Sequence, residues 1–262
     1  MPGRQALGEG IGSEAMSDPT VTLFTPRQTN TGLYVQLHEA GYPVADILRI
    51  QAAYRLACRL FNGRYRKTER AFICHAVGVA SSAAQFERRL DTVLSAMLHA
   101  AYDSGQFPDG RSGRPSPVHR AWLREQVGTE VESVVARYCD FDFETGVPER
   151  LVQTHVPDGD EDLLFIALAH EVDDLVDGGL AFSPKYGESI ATRVAACSAL
   201  ARRIGHDRLA ETIEAHGVAY QSLSWIDELG EKALEGFRIA PNFRAYLRLR
   251  RDHRRGKSVA VI

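Results

Sequence analysis

The chain has 262 residues, a formal net charge of −3 and 44% hydrophobic residues. This is the composition of an ordinary globular protein, long enough for one substantial core with an appended subdomain. The nearly balanced charge argues against nucleic acid or an acidic membrane surface as a partner.

The apolar residues and the cysteines together predict a cytoplasmic protein. The longest unbroken apolar run, Leu163 to Ala169, is too short to span a bilayer. The four cysteines lie far apart in apolar surroundings without CxxC spacing, which is typical of buried thiols in a reducing compartment. Residues 1–28 are rich in Gly, Ser and charge and lack the apolar core of a signal peptide, so we expect a disordered segment there.

Helical periodicity runs through most of the remaining sequence, with starts and stops at the expected residue types. Pro43, for example, begins a long amphipathic stretch that stops at Asn62-Gly63. No sustained alternation of apolar and polar residues indicates a strand, so we predict an all-α fold. The predicted helices are Thr31–Ala40, Pro43–Phe61, Ala71–Ala84, Leu90–Tyr102, one from Pro117 through Leu123, Thr129–Cys139, Glu161–Asp177, Tyr186–Ile204, Asp207–His216 and about Tyr220–Gly236.

Polar stretches separate some of these helices. Asp103–Pro117 (DSGQFPDGRSGRPSP) is packed with Gly, Pro, Ser and Asp, which predicts a long surface loop of the kind that often covers a functional site. Residues 140–160 are expected to be irregular. Arg244–Lys257 is locally basic and is interpreted as a solvated helix end and tail, with a phosphate-binding or partner-binding arm as the alternative.

Three strongly apolar helices each carry one histidine: His75 in AFICHAVGVA, His99 in LSAMLHAAY and His170 in LLFIALAHEVDDLVD. A buried imidazole needs partners for both ring nitrogens, and a single one is usually a satisfied core residue. Three on three core helices favour a ligand set for a divalent transition metal, if the fold brings them together. The alternative is that all three are core residues without a ligand.

These segments carry a resemblance to a known superfamily. The run LFNGRYRKTERAFICHAVGVASSA, followed by VLSAMLHAAYDSGQF and then LLFIALAHEVDDL, resembles the HD-domain metal-dependent phosphohydrolases. The layout is similar to that of the hydrolase domain of the alarmone synthetase/hydrolase proteins, over about residues 45–180. It is also similar to an HD-like group in which the second histidine is not followed by Asp. The resemblance implies an HD-like helical bundle.

The resemblance implies a metal held by one histidine, a His-Asp pair and a later Asp. In this chain those positions are His75, then His99 with Ala100 in place of the paired Asp, and His170 in place of the later Asp. Ala100 cannot coordinate a metal, so the remaining three imidazoles form a neutral, softer set that suits one ion. We therefore expect a mononuclear centre that favours zinc or iron over manganese.

Two carboxylates near these histidines are further candidates. Asp103 lies one turn after His99 and is a candidate catalytic base, although it also suits a simple helix stop. Asp174 lies four residues after His170 on the same helix face, where it could act as a metal ligand or support one. The alternative for Asp174 is a solvated acidic edge.

The basic loop before His75 is a candidate substrate-binding segment. Arg64, Arg66 and Lys67 match the place where the alarmone hydrolases hold the nucleotide, and guanidinium groups suit phosphate. The alternative is a charged loop between two helices.

Together these features predict a disordered segment at 1–28, an HD-like domain at 29–180 and a helical extension with a basic tail at 181–262. We expect the extension either to complete the domain or to form a homodimer contact. The leading functional hypothesis is a metal-dependent hydrolase of a small phosphorylated or nucleotide-type molecule. The alternatives are an HD-fold non-haem iron oxygenase and an inactive HD-like protein that binds a ligand or partner.

Overall fold

Helices make up nearly all of the regular structure in a computed structural model of the chain. The model describes residues 23–143, 146–154, 156, 159–178, 184–223, 237–239, 243–255 and 260–261. Within these ranges the all-α prediction is confirmed. The helices are α1 Asn30–Glu39, α2 Val44–Leu60, α3 Phe72–Phe86, α4 Leu90–Leu98, α5 Ala101–Ser104, α6 Pro117–Val127, α7 Thr129–Tyr138, α8 Val147–Gln153, α9 Glu161–Asp177, α10 Pro184–Arg203, α11 Asp207–Gln221 and α12 Phe243–Arg254; the short strands are β1 Phe237–Arg238 and β2 Ala260–Val261.

The core is built around α3 and α9. Helix α3 is buried almost continuously, which its small and apolar residues on every side require. It packs against α1, α2, α4 and α9, while α10 and α11 pack on each other and on α9. The buried side chains of Leu200, Leu209 and Ile213 are part of the same core. Helices α10 and α11 of the C-terminal extension therefore pack on the core of the bundle.

Helix boundaries follow the residues that the sequence marks as starts and stops. The Ser116 hydroxyl accepts a hydrogen bond from the His119 amide (3.2 Å) and Pro117 takes the first turn of α6. Helix α9 ends at Gly178, whose φ of 62° is left-handed. Both boundaries were predicted.

The stretch predicted as one helix over Leu90–Tyr102 contains two helices, α4 and the start of α5, because the helical backbone conformation is interrupted at His99 and Ala100. Ala100 has φ −96° and ψ 16°, outside the helical well. The His99 ring donates to the Ala96 carbonyl (2.8 Å), so a side chain occupies an acceptor that regular helix would use. This break sets the position of the imidazole.

Two polar segments are more ordered than predicted. Helix α8 lies inside the stretch expected to be irregular. The loop after Asp103 is anchored by Phe107, which is buried and stacks on His119 with ring centroids 4.1 Å apart. It is therefore tied to α6 by an aromatic core contact.

The predicted N-terminal segment and the predicted C-terminal extension fall only partly within the described residues. Residues 23–28 belong to the segment expected to be disordered, yet Phe24 packs edge-on to Phe86 and the Arg27 amide donates to Ser81 Oγ (2.8 Å). Residues 1–22 lie outside the described part. Helix α11 extends past the predicted end at His216 to Gln221, and so includes the start of the helix predicted over about Tyr220–Gly236. Residues 224–236 of that predicted helix lie outside the described part of the chain. None of the described helices is long and apolar enough to cross a membrane.

Candidate metal centre

The three histidines singled out from the sequence come together in the core. His75 lies on α3, His99 directly follows α4, and His170 lies on α9. The ring centroids are 5.1 Å apart for His75 and His99, 4.6 Å for His75 and His170, and 5.4 Å for His99 and His170. One nitrogen from each ring lies within 4.8 Å of the other two. The packing of α3 against α4 and α9 produces this convergence.

His75 is oriented by a carboxylate on α9. Its Nδ1 lies 2.7 Å from Asp173 Oδ2 and 3.0 Å from Arg66 Nη1. A guanidinium can only donate, so Nδ1 cannot accept from Arg66 while donating to Asp173. The short contact to the carboxylate assigns the proton to Nδ1, which leaves the Nε2 lone pair of His75 available.

His99 is oriented in a related way, and a carboxylate lies near His170. His99 Nδ1 donates to the Ala96 carbonyl oxygen, so Nε2 again carries the lone pair. His170 Nδ1 lies 3.5 Å from Asp174 Oδ2, one helical turn along α9. An acceptor at one ring nitrogen that fixes the tautomer is the usual support of a metal-binding histidine.

All three imidazoles are neutral at ordinary pH. Burial lowers the pKa of each, and the positive charge of Arg66 lowers it further. The pKa of His99 falls to about 3, with the proximity of His170 as the second cause. The neutral ring is the form that binds a metal ion.

The donor set fits one divalent ion. A tetrahedral ion about 2.1 Å from each nitrogen requires nitrogens about 3.4 Å apart, so nitrogens that lie within 4.8 Å of one another would approach by at most about 1.4 Å on binding it. His170 has a side chain that is 23% exposed, against 1% for His75, so the open side of the cluster is at α9.

A second group of close donors comprises His75, Asp173 and Asp174. Its carboxylates are already occupied by arginines. Arg70 binds Asp173 through both terminal nitrogens (2.9 Å each), and Arg66 pairs with both oxygens of Asp174. Although burial opposes ionisation, the charge and hydrogen bonds of Arg66 hold the pKa of Asp174 well below its usual range. Asp174, named from the sequence as a ligand, is thus an ion-pair partner of Arg66 beside the cluster.

Gly78 is needed for the contact between Asp173 and His75, and sequence reasoning did not identify it. A Cβ on Gly78 would lie 1.8 Å from Asp173 Oδ1. Gly78 follows His75 by three residues, so both face α9, and only a residue without a side chain lets the carboxylate approach. Arg70 and Asp173 were also missed as partners, since they are distant in sequence.

The remaining predicted residues lie outside the histidine cluster. Asp103 is exposed and accepts a hydrogen bond from the Cys139 thiol (3.0 Å); it is in neither group of close donors. Lys67 is exposed on the loop before α3. Arg64 pairs across an isolated bridge with Arg238 instead of reaching the histidines. Of the three predicted substrate-binding residues, the structure brings Arg66 to the cluster.

Comparison with known families adds one match. Residues 59–142 are similar to a family described as a domain of unknown function (DUF6817). The match covers about a third of the chain and includes His75 and His99 but not His170. No curated protein matches the chain.

Proposed function

We propose that this protein is a mononuclear metal-dependent hydrolase acting on a small phosphorylated or nucleotide-type molecule. The observation that carries the proposal is the cluster of three histidines with ring nitrogens within 4.8 Å of one another, of which His75 and His99 have Nδ1 hydrogen-bonded to an acceptor. A core histidine needs only hydrogen bonds, whereas three histidines whose ring nitrogens lie this close together suit a shared partner. A divalent ion satisfies all three.

The residues in and around the cluster have different roles in this proposal. His75, His99 and His170 would hold the ion, which when bound lowers the pKa of a water and polarises a phosphoryl oxygen. Asp173 fixes the His75 ring, and Arg70 in turn fixes Asp173. These contacts hold the ligand set in place before any substrate arrives.

Arg66 is the cation that a phosphoryl group would meet first. Its guanidinium lies beside His75 with a side chain 14% exposed, and Asp174 holds it there. An anionic substrate entering from the His170 side can share this guanidinium, because a planar fork of donors suits phosphate oxygens. Arg64 and Lys67 remain candidates for contacts farther along the substrate.

The resemblance to the HD-domain phosphohydrolases supports the reaction class. The two family-type histidine positions are present, and the positions of the two missing carboxylates carry Ala100 and His170. Without those anions a bridged pair of metal ions has no oxygen ligand to share. The proposal is therefore restricted to a single ion.

Metal analysis of the purified full-length protein tests the proposal. After incubation with zinc, ferrous iron or manganese and removal of excess metal, we expect one equivalent of zinc or iron per chain. His99→Gln and His170→Gln should each lose it, while His216→Gln should retain it. His216 is a matched control, since it is a buried histidine outside the cluster whose Nε2 bonds the Phe24 carbonyl (2.7 Å).

Activity then separates the hypotheses. Release of phosphate from nucleotides or phosphomonoesters by the zinc-loaded protein, lost in His99→Gln, supports the hydrolase. Stoichiometric iron with oxygen consumption and no hydrolysis would overturn it in favour of the oxygenase alternative. Absence of metal under all three conditions would leave the inactive, ligand-binding alternative.

A further inference from the structure

Two arginines outside the histidine cluster lie side by side. Arg64, in the loop before α3, pairs with Arg238 of β1 across an isolated antiparallel bridge. Residues opposite each other on such a bridge project to the same face, and like charges there repel. Among the residues that the structure describes, no carboxylate is hydrogen-bonded to either guanidinium.

Arg238 is the more deeply buried of the two. Only 5% of its surface is exposed. Its terminal nitrogens donate to neutral acceptors, Gln106 Oε1 at 2.9 Å and the Ser104 carbonyl oxygen at 3.4 Å. Its Nε–H is buried and has no partner. Burial accordingly lowers the pKa of Arg238.

The guanidinium of Arg64 is also partly buried, and no described carboxylate is hydrogen-bonded to it. Burial lowers its pKa to about 10, and the charge of Arg238 adds to the effect. Asp103 is the described carboxylate whose charge reaches Arg64, and it is hydrogen-bonded to Cys139 instead. A buried cation without an anion is costly, so proteins pair such groups or use them to bind one.

The fold brings Arg238 to this place by a close backbone approach. The Ile239 amide donates to the Gly63 carbonyl oxygen (2.7 Å), and β1 is further held by parallel pairing with β2. Gly63 has φ 67°, and a Cβ there would lie 2.4 Å from the Ile239 carbonyl oxygen. The glycine lets Arg238, 174 residues further along the chain than Arg64, lie against the loop of Arg64.

We propose that Arg64 and Arg238 form an anion site that binds a phosphoryl group. The Arg238 Nε–H and the guanidinium of Arg64 offer donors from two chain segments. A tetrahedral phosphate dianion has enough oxygens to accept from both and balances two positive charges, whereas a carboxylate supplies one charge and two coplanar oxygens. Arg238 thereby becomes a binding residue contributed by the C-terminal extension.

This inference deepens the proposed function, because it names a second place where an anionic group of the substrate is held. Arg64 and Arg66 are two residues apart on one extended segment, so a molecule with two phosphoryl groups can contact both. The binding itself does not depend on metal or turnover. The two proposals can therefore fail separately.

The test uses the full-length protein after treatment with a chelator. Binding of inorganic phosphate and of pyrophosphate is measured by calorimetry, with sodium chloride of equal ionic strength as the reference. Arg64→Gln and Arg238→Gln should each weaken phosphate binding about tenfold or more, since a charge-assisted pair is removed. Arg250→Gln, which removes an exposed arginine of α12, should change it by less than about twofold.

The proposal is overturned if the wild type shows no saturable phosphate binding, or if the two variants bind phosphate as the wild type does. A second measurement avoids the risk that Arg238→Gln misfolds: phosphate should slow the modification of Arg64 by an arginine-specific dicarbonyl reagent in the wild type, but not that of Arg250. Equal protection of both residues would count against the site. Loss of metal binding with phosphate binding intact would count against the proposed function alone.

Discussion

Replacing Gly78 by alanine tests the most specific structural claim about the histidine cluster. The added methyl carbon would lie 1.8 Å from Asp173 Oδ1, 2.6 Å from its Cγ and 3.1 Å from Arg70 Nη2. Asp173 is fully buried and the helices on both sides are packed, so the carboxylate has to leave its position. Its contacts with His75 and Arg70 are then broken.

The expected cost follows from two opposing effects. Alanine stabilises a helix interior by about 1 kcal/mol relative to glycine, so the substitution would raise the free energy of unfolding if the added methyl group had free space. Disrupting a buried ion pair costs about 3–5 kcal/mol. We expect Gly78→Ala to lower the free energy of unfolding by about 2–4 kcal/mol, and to weaken metal affinity about 10- to 100-fold because His75 loses its orienting carboxylate.

Urea denaturation followed by circular dichroism measures the stability change, and the same substitution in an Asp173→Ala background isolates its cause. With the carboxylate removed, Gly78→Ala should be neutral or should stabilise the protein by up to about 1 kcal/mol. Gly78→Ala that is as stable as the wild type, or equally harmful in both backgrounds, would refute the argument that this glycine exists to admit Asp173.

Three further predictions concern other parts of the fold. The pKa of His99 is about 3 in the folded protein and near 6.5 in the unfolded chain. As the pH falls, the unfolded chain therefore binds the proton first, and the protein loses the stability that depends on neutral His99. That stability is complete above pH 6.5 and declines below it. His99→Gln should therefore reduce the loss of unfolding free energy between pH 7.5 and pH 5 by about 2 kcal/mol, measured by urea titration at each pH. Glu132 is fully buried and accepts hydrogen bonds from Tyr102, Arg120 and Arg124, so Glu132→Gln should destabilise by about 2 kcal/mol, while Glu130→Gln at an exposed position should not. Gly63→Ala should speed tryptic cleavage at Arg238, because its Cβ collides with the Ile239 carbonyl; Gly205→Ala, with a similar positive φ of 83° but open space around it, should leave that cleavage unchanged.

The helices were predictable because their information is local. Apolar periodicity and residues such as Pro117 and Gly178 mark α6 and α9 correctly, and each needs only neighbours a few positions away. The break after Leu98 was not predictable, because it depends on where the His99 ring finds its acceptor. Helix α8 was missed because its short polar sequence has too few apolar residues to show a period.

The residues of the candidate site were likewise predictable only where the signal was local. The three histidines stood out because an imidazole in an apolar helix is unusual within its own segment. The partners Arg70, Asp173 and Gly78 did not stand out, because a charged residue near a helix end and a glycine in a small-residue helix are common when seen alone. Their meaning lies in contacts across about a hundred residues of sequence, such as the 98 positions between His75 and Asp173.

The charges beside the cluster connect the two proposals. Asp173, Asp174 and Asp177 face Arg66 and Arg70, so the ion-paired groups leave one net negative charge around three neutral imidazoles. A divalent ion would turn that local balance positive in a region sheltered from water, where uncompensated charge is expensive. A bound anionic substrate group would restore neutrality there, and the proposed site at Arg64 and Arg238 would take another. On the proposed resemblance to an HD-type site, Ala100 and His170 stand in place of two carboxylates, so a bound metal would draw its remaining anions from the ligand. This is the reason that the proposal names a phosphorylated molecule instead of a neutral one.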